Sequence, residues 1–191
     1  MLLGRSVVVC VFLDFVAVVG FAASISHAPV LAQTPEPAAY ADIVSPVEEK
    51  LGTAKFFPVD GGVKVELDVI QQVPGLHAIH ILSVGKCDGP DFTSAGPNFN
   101  PDEKEHGSIN PQGPQAGDLP NIEAGLDGHL RGTVVVKGVT FGDGPNSLFH
   151  PGGTAIVIDE NADDYNTDPN GGSAAHVACG VIQKQDAPTT P

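Results

Sequence analysis

The sequence predicts an all-β domain built from short strands and long irregular loops. Glycine (23 residues) and proline (17 residues) are frequent, whereas aromatic residues make up only 6% of the chain and tryptophan is absent. Aliphatic side chains must therefore fill the core between many turns, which is typical of all-β proteins. No stretch shows a helical period, and a chain of 191 residues is expected to form one domain.

Residues 1–32 have the features of a secretory signal peptide. Arg5 gives a positive start, residues 7–23 form an apolar run, and Val-Leu-Ala at 30–32 fits a small-residue cleavage site. An uncleaved membrane anchor is the alternative, but the run is short for a span and Asp14 in its middle would cost ~3 kcal/mol. We therefore expect cleavage and a secreted or periplasmic mature protein.

The mature chain is expected to have three parts. Residues 33–50 are rich in alanine and proline without a sustained period, which indicates a tether. The folded domain is expected over residues 51–183, and residues 184–191 are expected to form a disordered tail.

The strands can be placed in order. Residues 54–59 and 63–69, joined by Asp60-Gly61-Gly62, predict a β-hairpin. Apolar and charged residues alternate from Val63 to Val69, so one face of that strand should belong to the core. Further strands are expected at 76–82, 122–124, 129–136, 153–159 and 175–182. About eight short strands with two long loops indicate a Greek-key sandwich or barrel.

Two long polar segments interrupt this pattern. Residues 87–120 are dense in glycine, proline, asparagine and aspartate, and residues 160–173 are a second polar loop. Loops of such length in compact domains are usually functional or disordered. The longer loop is therefore either a site-bearing loop pinned by Cys87 or a solvated excursion.

The cysteine count favours a disulfide. Cys10 leaves with the signal peptide, so Cys87 and Cys179 are the remaining cysteines of an exported chain. In an oxidising compartment a disulfide is a better interpretation than two buried free thiols. Closing a loop of about ninety residues would stabilise the fold by ~4–5 kcal/mol in the chain-entropy model.

The net charge of −14 limits the partners. Removal of the signal peptide leaves it unchanged because Arg5 and Asp14 depart together. A surface with this excess of negative charge repels nucleic acid phosphates and anionic lipid head groups. We expect no nucleic acid partner and, after signal cleavage, no membrane partner. The sequence does not decide whether the partner is a protein or a small ion.

Seven motifs stand in a particular order: PGLHAIHI, DFTSAG with FNP, EHG, AGDLPN, GTAIVI, ADDY and ACGVI. In this order and spacing, residues 51–182 resemble the copper/zinc superoxide dismutase family. The resemblance implies a flattened eight-stranded Greek-key barrel. It also implies a copper ion on four histidines that dismutes superoxide to oxygen and hydrogen peroxide. A zinc ion on three histidines and an aspartate would share one histidine with the copper.

The resemblance also shows which ligands this chain lacks. In the first histidine motif, His80 stands at a copper-ligand position, but Leu82 replaces the second copper histidine. His77 matches a histidine with a structural role that faces away from the metals. Leucine donates nothing to a metal, so the copper set is incomplete at its first strand.

The remaining ligand positions are also depleted. Asn98 replaces the bridging histidine, Asp159 replaces the fourth copper histidine, and Gln115 replaces a zinc histidine, whereas His106 and Asp118 match zinc ligands. Neutral amides are poor ligands for copper and zinc. The ligands that survive are His80, His106 and Asp118, which form at most a weak or vestigial site for one zinc or copper ion, and the sequence assigns no other cofactor.

Two further positions match groups around the metals. Asp163 matches the aspartate that links a copper and a zinc histidine, so His80, Asp163 and His106 are expected to form a hydrogen-bond chain without metal. His176 stands where the family places the guanidinium that attracts superoxide, and a neutral histidine is a weak replacement in a field of −14.

Three functions follow from this pattern. We favour a secreted superoxide dismutase-like domain that is catalytically degenerate and acts as a binding or structural module. The alternatives are a superoxide dismutase with an atypical metal site and a metal-handling protein.

Overall fold

The structure is a computed structural model that describes residues 35–185. The signal-peptide prediction for residues 1–32 and most of the expected tail lie outside these residues. Within them, no helix has the length and apolarity needed to cross a membrane. The regular elements are β1 (Ala39–Val44), β2 (Lys50–Val59), β3 (Gly62–Val69), β4 (Gly75–His77), β5 (Ile79–Leu82), a 3-10 helix (Thr93–Ala95), β6 (Ile122–Ala124), β7 (Leu130–Lys137), β8 (Ala155–Asp159), β9 (His176–Val181) and β10 (Gln183–Lys184).

The strands form one antiparallel sheet that curves into a nearly closed barrel. Their order is β4-β6-β7-β3-β2-β1-β9-β8-β5. The two strands at the ends of this order, β4 and β5, follow each other in the chain and are separated only by Ala78. One bent strand therefore pairs with β6 through its first half and with β8 through its second half.

The predicted fold class is confirmed. With β4 and β5 counted as one strand, and the two-residue β10 set aside as an addition to β1, the barrel has eight strands. The predicted hairpin is also present, because β2 and β3 pair from Gly52 opposite Val69 to Val59 opposite Gly62. The single strand predicted over residues 76–82 is interrupted at Ala78.

The barrel begins earlier than the sequence suggested. Residues 33–50 were expected to be a tether, but β1 lies within them and pairs along its length with β2. Ala39, Ala41 and Ile43 are fully buried in alternation with more exposed neighbours. Alanine side chains are small, so the alternation of apolar and polar residues in this segment is weak. The frequent alanine and proline residues therefore led to the prediction of a tether. At the other end, Lys184 is part of β10 and not of a disordered tail.

The core has an inner and an outer part. All five residues of β8 are buried, because one face of this strand lines the barrel interior and the other lies beneath a loop. Ile156 and Ile158 belong to the interior cluster. The outer cluster contains Leu82, Phe92, Ala95, Ala155, Val157 and Cys179. The alternation of β8 therefore separates the barrel core from a second apolar layer that carries the site.

The long loop between β5 and β6 covers this outer layer. Its Phe92 is buried in the outer cluster, whereas its Phe99 packs with the interior cluster. Its Cys87 forms a disulfide with Cys179 of β9, 92 residues further along the chain. The predicted disulfide is confirmed. The loop is consequently the site-bearing segment and not a solvated excursion.

Candidate metal centre and its hydrogen-bond network

Strand alternation brings His80 and Asp159 together. His80 pairs with Val157 across β5 and β8, and Asp159 lies two residues further on the same face of β8. The His80 Nδ1 atom is 2.7 Å from Asp159 Oδ2, and both side chains are fully buried. Asp159 also accepts a hydrogen bond of 2.8 Å from the Ser173 hydroxyl and one from His176 Nδ1. The residue at a lost copper-ligand position therefore accepts hydrogen bonds from three side chains.

Asp163 bridges two histidines from different parts of the chain. Its Oδ2 atom is 3.3 Å from Nε2 of His80, and its Oδ1 atom is 3.0 Å from Nε2 of His106 in the long loop. The backbone N–H of Tyr165 donates to Oδ1 as well. Asn121 fixes the backbone of Asp163 on both sides, since its amide donates to the Asp163 carbonyl and its amide oxygen accepts from the Asp163 N–H.

Asp118 ends the network on the far side of His106. Its Oδ1 atom is 2.9 Å from His106 Nδ1 and accepts a bond of 3.2 Å from the Asn98 amide. Its Oδ2 atom accepts from the backbone N–H groups of Gly107 and Gln115, each at 2.9 Å. We call the resulting series the His–Asp chain; its members, in order, are His176, Asp159, His80, Asp163, His106 and Asp118.

A glycine allows the loop between β8 and β9 to pass directly over the His–Asp chain. Gly171 has a φ of 64°, and a Cβ atom placed there would lie 1.7 Å from Asp163 Oδ1 and 3.0 Å from His106 Nε2. No residue with a side chain fits so close an approach. The loop after β8 thus lies directly against the centre of the His–Asp chain.

The carboxylates control the charge of the two central histidines. Burial on its own lowers the pKa of His80, but the hydrogen bonds and charges of Asp159 and Asp163 outweigh it and raise the pKa to about 9. Burial likewise lowers the pKa of His106, and Asp118 with Asp163 raises it to about 10. Both rings are therefore imidazolium ions at neutral pH.

The pKa values of the aspartates Asp159 and Asp163 shift in the opposite direction. Burial raises the pKa of Asp163, but hydrogen bonds from His106 and His80 hold that pKa well below its usual range. At Asp159, burial is outweighed in the same way by His176 and His80. In the middle of the His–Asp chain, the imidazolium ions of His80 and His106 thus alternate with carboxylates, and each imidazolium contacts two carboxylates.

Protein stability is expected to fall as the pH rises from about 6.5 towards 9. The folded protein retains the protons of His80 and His106, whereas the unfolded chain releases them above about pH 6.5. The raised pKa values therefore give stability that is complete below that pH, with a limiting loss of ~1.4 kcal/mol per pH unit for each histidine. The lowered aspartate pKa values act only in acid, below about pH 4. Urea unfolding at pH 6, 7.5 and 9, with a chelator present, measures this; a constant free energy of unfolding would contradict it.

The copper half of the family site does not fit these residues. His80 is the only imidazole among the four copper-ligand positions, and carboxylates face both of its ring nitrogens. Leu82 packs in the apolar outer cluster, and Asn98 donates its amide to Asp118. A set of one imidazole, one carboxylate, one amide and one alkyl group lacks the nitrogen ligands that copper requires.

The zinc half is changed as well. Four donors occupy the two carboxylate oxygens of Asp118, and Gln115 offers an amide oxygen where zinc would find an imidazole. That amide oxygen is buried and has no hydrogen-bond partner within residues 35–185. The residues at the positions that the resemblance assigns to copper and zinc therefore do not offer a complete set of ligands for the pair.

Among residues 35–185, one group of three residues has the spacing of metal ligands. Potential ligand atoms of His80, His106 and Asp163 all lie within 4.8 Å of one another, and all three residues are buried. The metal site predicted from the sequence consisted of His80, His106 and Asp118, whereas the structure brings the two histidines together with Asp163. Two histidines and a carboxylate are a known ligand set for zinc. An ion at this place would have to replace the hydrogen bonds that Asp163 now accepts.

His77 and His176 lie outside this group. The ring of His77 is buried on the other side of the strand, with Nδ1 2.6 Å from the carbonyl oxygen of Asp159 and Nε2 2.6 Å from that of Val73. This position suits the structural role that the resemblance implied. His176, at the channel position, contacts the Asp159 carboxylate, and its side chain is 21% exposed.

Several residues of the site had no predicted role. Asn121, Tyr165, Gly171 and Ser173 all contribute contacts, and although Asn121 and Tyr165 stand in the AGDLPN and ADDY motifs, each lies in a loop without a period. The Asn-Gly-Gly run at 170–172 was the one local hint that the backbone approaches another group closely.

The fold and the site together define a class: an eight-stranded Greek-key barrel whose loops carry the positions of a two-metal centre. The chain belongs to the copper/zinc superoxide dismutase family, whose family model matches residues 50–182. The predicted resemblance is confirmed.

Individual relatives agree with this assignment. Superoxide dismutase [Cu-Zn] 1 of Aquifex aeolicus is 45% identical over 146 residues, which cover 75% of this chain and 86% of that protein. Superoxide dismutase-like protein YojM of Bacillus subtilis is 40% identical over 125 residues, 64% of each chain. The crystal structure of a SOD-like protein from Bacillus subtilis matches with a TM-score of 0.72 and 35% identity, covering 74% of this chain and 96% of that one.

Proposed function

We propose that this protein is an exported member of the superoxide dismutase family that lacks copper-dependent dismutation and acts as a binding or structural module. The His–Asp chain carries this proposal. Its buried ion pairs engage the side chains that remain at the family's metal positions, and His80, the one imidazole at a copper position, has a carboxylate at both ring nitrogens.

The approach to the site supports the same conclusion. Superoxide is an anion, and the chain carries a net charge of −14. The residue at the channel position, His176, contacts the Asp159 carboxylate and so offers no separate positive charge to a substrate. Attraction of an anion to this site is weak for that reason.

Export is part of the proposal. The disulfide between Cys87 and Cys179 suits an oxidising compartment, and the sequence of residues 1–32 suits a cleaved signal peptide. Fractionation of cells that express the full chain, with N-terminal sequencing of the product, tests it. Recovery of the uncleaved protein, with residues 1–32 intact, from the cytoplasm would contradict export.

Two alternative functions are each supported by one observation. A relative named as a superoxide dismutase is 45% identical, which favours a dismutase with an atypical site. The grouping of His80, His106 and Asp163 favours a protein that handles a single ion.

Copper and zinc loading separates these functions. After desalting, the purified mature protein is expected to retain no stoichiometric copper and to remove superoxide at least about a thousandfold more slowly than a diffusion-limited enzyme. The unloaded protein assayed with free copper provides the control. One tightly held copper ion with fast turnover would establish a dismutase, and several weakly held ions without turnover would indicate metal handling.

A further inference from the structure

Three turns meet at one end of the barrel and expose apolar side chains there. The turns are residues 45–49 after β1, 70–74 after β3 and 125–129 after β6. Two hydrogen bonds connect the middle turn to its surroundings: the N–H of Ile70 donates to the carbonyl of Leu51, and the N–H of Gln72 donates to the carbonyl of Gly128. Residues of the turns 45–49 and 70–74 also line one cavity, so the three turns form one continuous surface.

This surface is unusually rich in apolar groups. Residues 35–185 contain eight exposed large hydrophobic side chains, and five of them lie on these turns or on the adjoining start of β4. We call these five the apolar end; they are Val47 (74% exposed), Ile70 (44%), Val73 (72%), Leu76 (54%) and Leu126 (98%). A concentration of exposed apolar side chains of this kind marks an interaction site more often than chance exposure.

A cavity opens between two of the turns. Its volume is about 200 Å³, and its lining includes Pro46, Leu51, Gln72, Val73, Glu160 and Val177. Pro46, Leu51, Val73 and Val177 form its apolar wall, and the other lining residues are polar: Ser45, Gln71, Gln72, His77 and Glu160. It has the form of a receptor for a single apolar side chain that projects from a partner.

Carboxylates surround the apolar end. Glu48, Glu123, Asp127 and Glu160 are all exposed, and none forms an ion pair with another described residue. The nearby cations are already paired, since Lys50 contacts Asp42 at 2.7 Å and Arg131 contacts Asp68 at 3.4 Å. The rim therefore carries uncompensated negative charge.

This charge selects the occupant. A second copy of the chain would bring an equal set of carboxylates against the rim, and an anionic membrane would bring phosphates, so both are repelled. A polypeptide segment with lysine or arginine around apolar residues matches both features at once.

We propose that the apolar end binds a cationic, amphipathic segment of another protein, which inserts one apolar side chain into the cavity and sets its cations against the acidic rim. This inference adds a surface and a partner chemistry to the binding role proposed above, on which it rests.

Fluorescence anisotropy with a labelled synthetic peptide of leucine and lysine in amphipathic spacing tests the proposal. The mature protein is expected to bind it, and Val73→Ser with Leu126→Ser is expected to weaken binding about tenfold for each side chain removed. Val135→Ser is the matched control, because it removes an exposed valine from β7, outside the apolar end. All three sites are exposed, so the variants are expected to keep the fold.

Two comparison peptides separate charge from apolar contact. A serine and lysine peptide keeps the charge, and a leucine and glutamate peptide keeps the apolar face; neither is expected to bind comparably. Equal binding of the leucine and lysine peptide to all protein variants, or equal binding of the serine and lysine peptide, would overturn the proposal. Self-association that disappears in the double variant, measured by sedimentation, would also overturn it and assign the surface to a second copy.

The outcome is independent of the metal experiment. Fast dismutation by the loaded protein would refute the proposed loss of copper chemistry and leave the peptide measurements as they stand. Absent peptide binding in an inactive protein would refute the surface alone.

Discussion

A variant that carries Leu82→His, Asn98→His, Gln115→His and Asp159→His is expected to bind copper and zinc tightly, in contrast to the parent protein. The four changes return imidazoles to positions where the structure now has an alkyl group, two amides and a carboxylate. The barrel and the disulfide already hold these positions in place. The apparent free energy of binding is expected to be on the order of 10 kcal/mol, as for other protein zinc sites. Metal content after desalting and titration calorimetry measure the gain.

A control with similar bulk distinguishes ligands from packing. The variant Leu82→Gln, Asn98→Gln and Asp159→Gln, with Gln115 left in place, disturbs the same positions but adds no imidazole. It is expected to bind neither metal tightly. If the four-histidine variant is folded by circular dichroism and still binds no metal, the assignment of these residues to the family positions is wrong.

Asp163→Asn is expected to lower the free energy of unfolding by ~3–5 kcal/mol, the usual cost of breaking a buried ion pair. The Asp163 carboxylate accepts from both His80 and His106, and both imidazolium ions would lose a counter-charge. The amide of asparagine has the same shape but presents a donor to rings that are themselves donors. Urea unfolding at pH 7 with a chelator present measures the loss.

Asp143→Asn provides the matched control for this experiment. Asp143 is an exposed aspartate in a turn, and the same change there is expected to alter stability by less than about 0.5 kcal/mol. A loss below about 1 kcal/mol in Asp163→Asn would mean that the His–Asp chain is not a principal source of stability.

Most of the barrel was predictable because its strands carry strong periodic signals. The alternation from Val63 to Val69 and the Asp-Gly turn before it predicted the β2–β3 hairpin correctly. β1 was missed because its buried positions are Ala39, Ala41 and Ile43, and alanine contributes little contrast between the two faces of a strand.

The site was predictable only in part, for a different physical reason. Ordered motifs placed His80, His106 and Asp163, since the family spacing survives around them. The role of Asp159 did not follow, because a sequence shows that a ligand is missing but not which groups its replacement will contact. Its partners His80 and His176 are 79 and 17 residues away.

The His–Asp chain has a consequence for how this protein depends on its surroundings. In a protein whose loops are held by a metal, the folded fraction follows the concentration of the free ion by mass action. Here protons shared between histidines and aspartates join the same loops to the barrel. Under the proposed function, the dissolved component that governs folding would be the hydrogen ion, and we expect the protein to mature in a compartment depleted of copper and zinc.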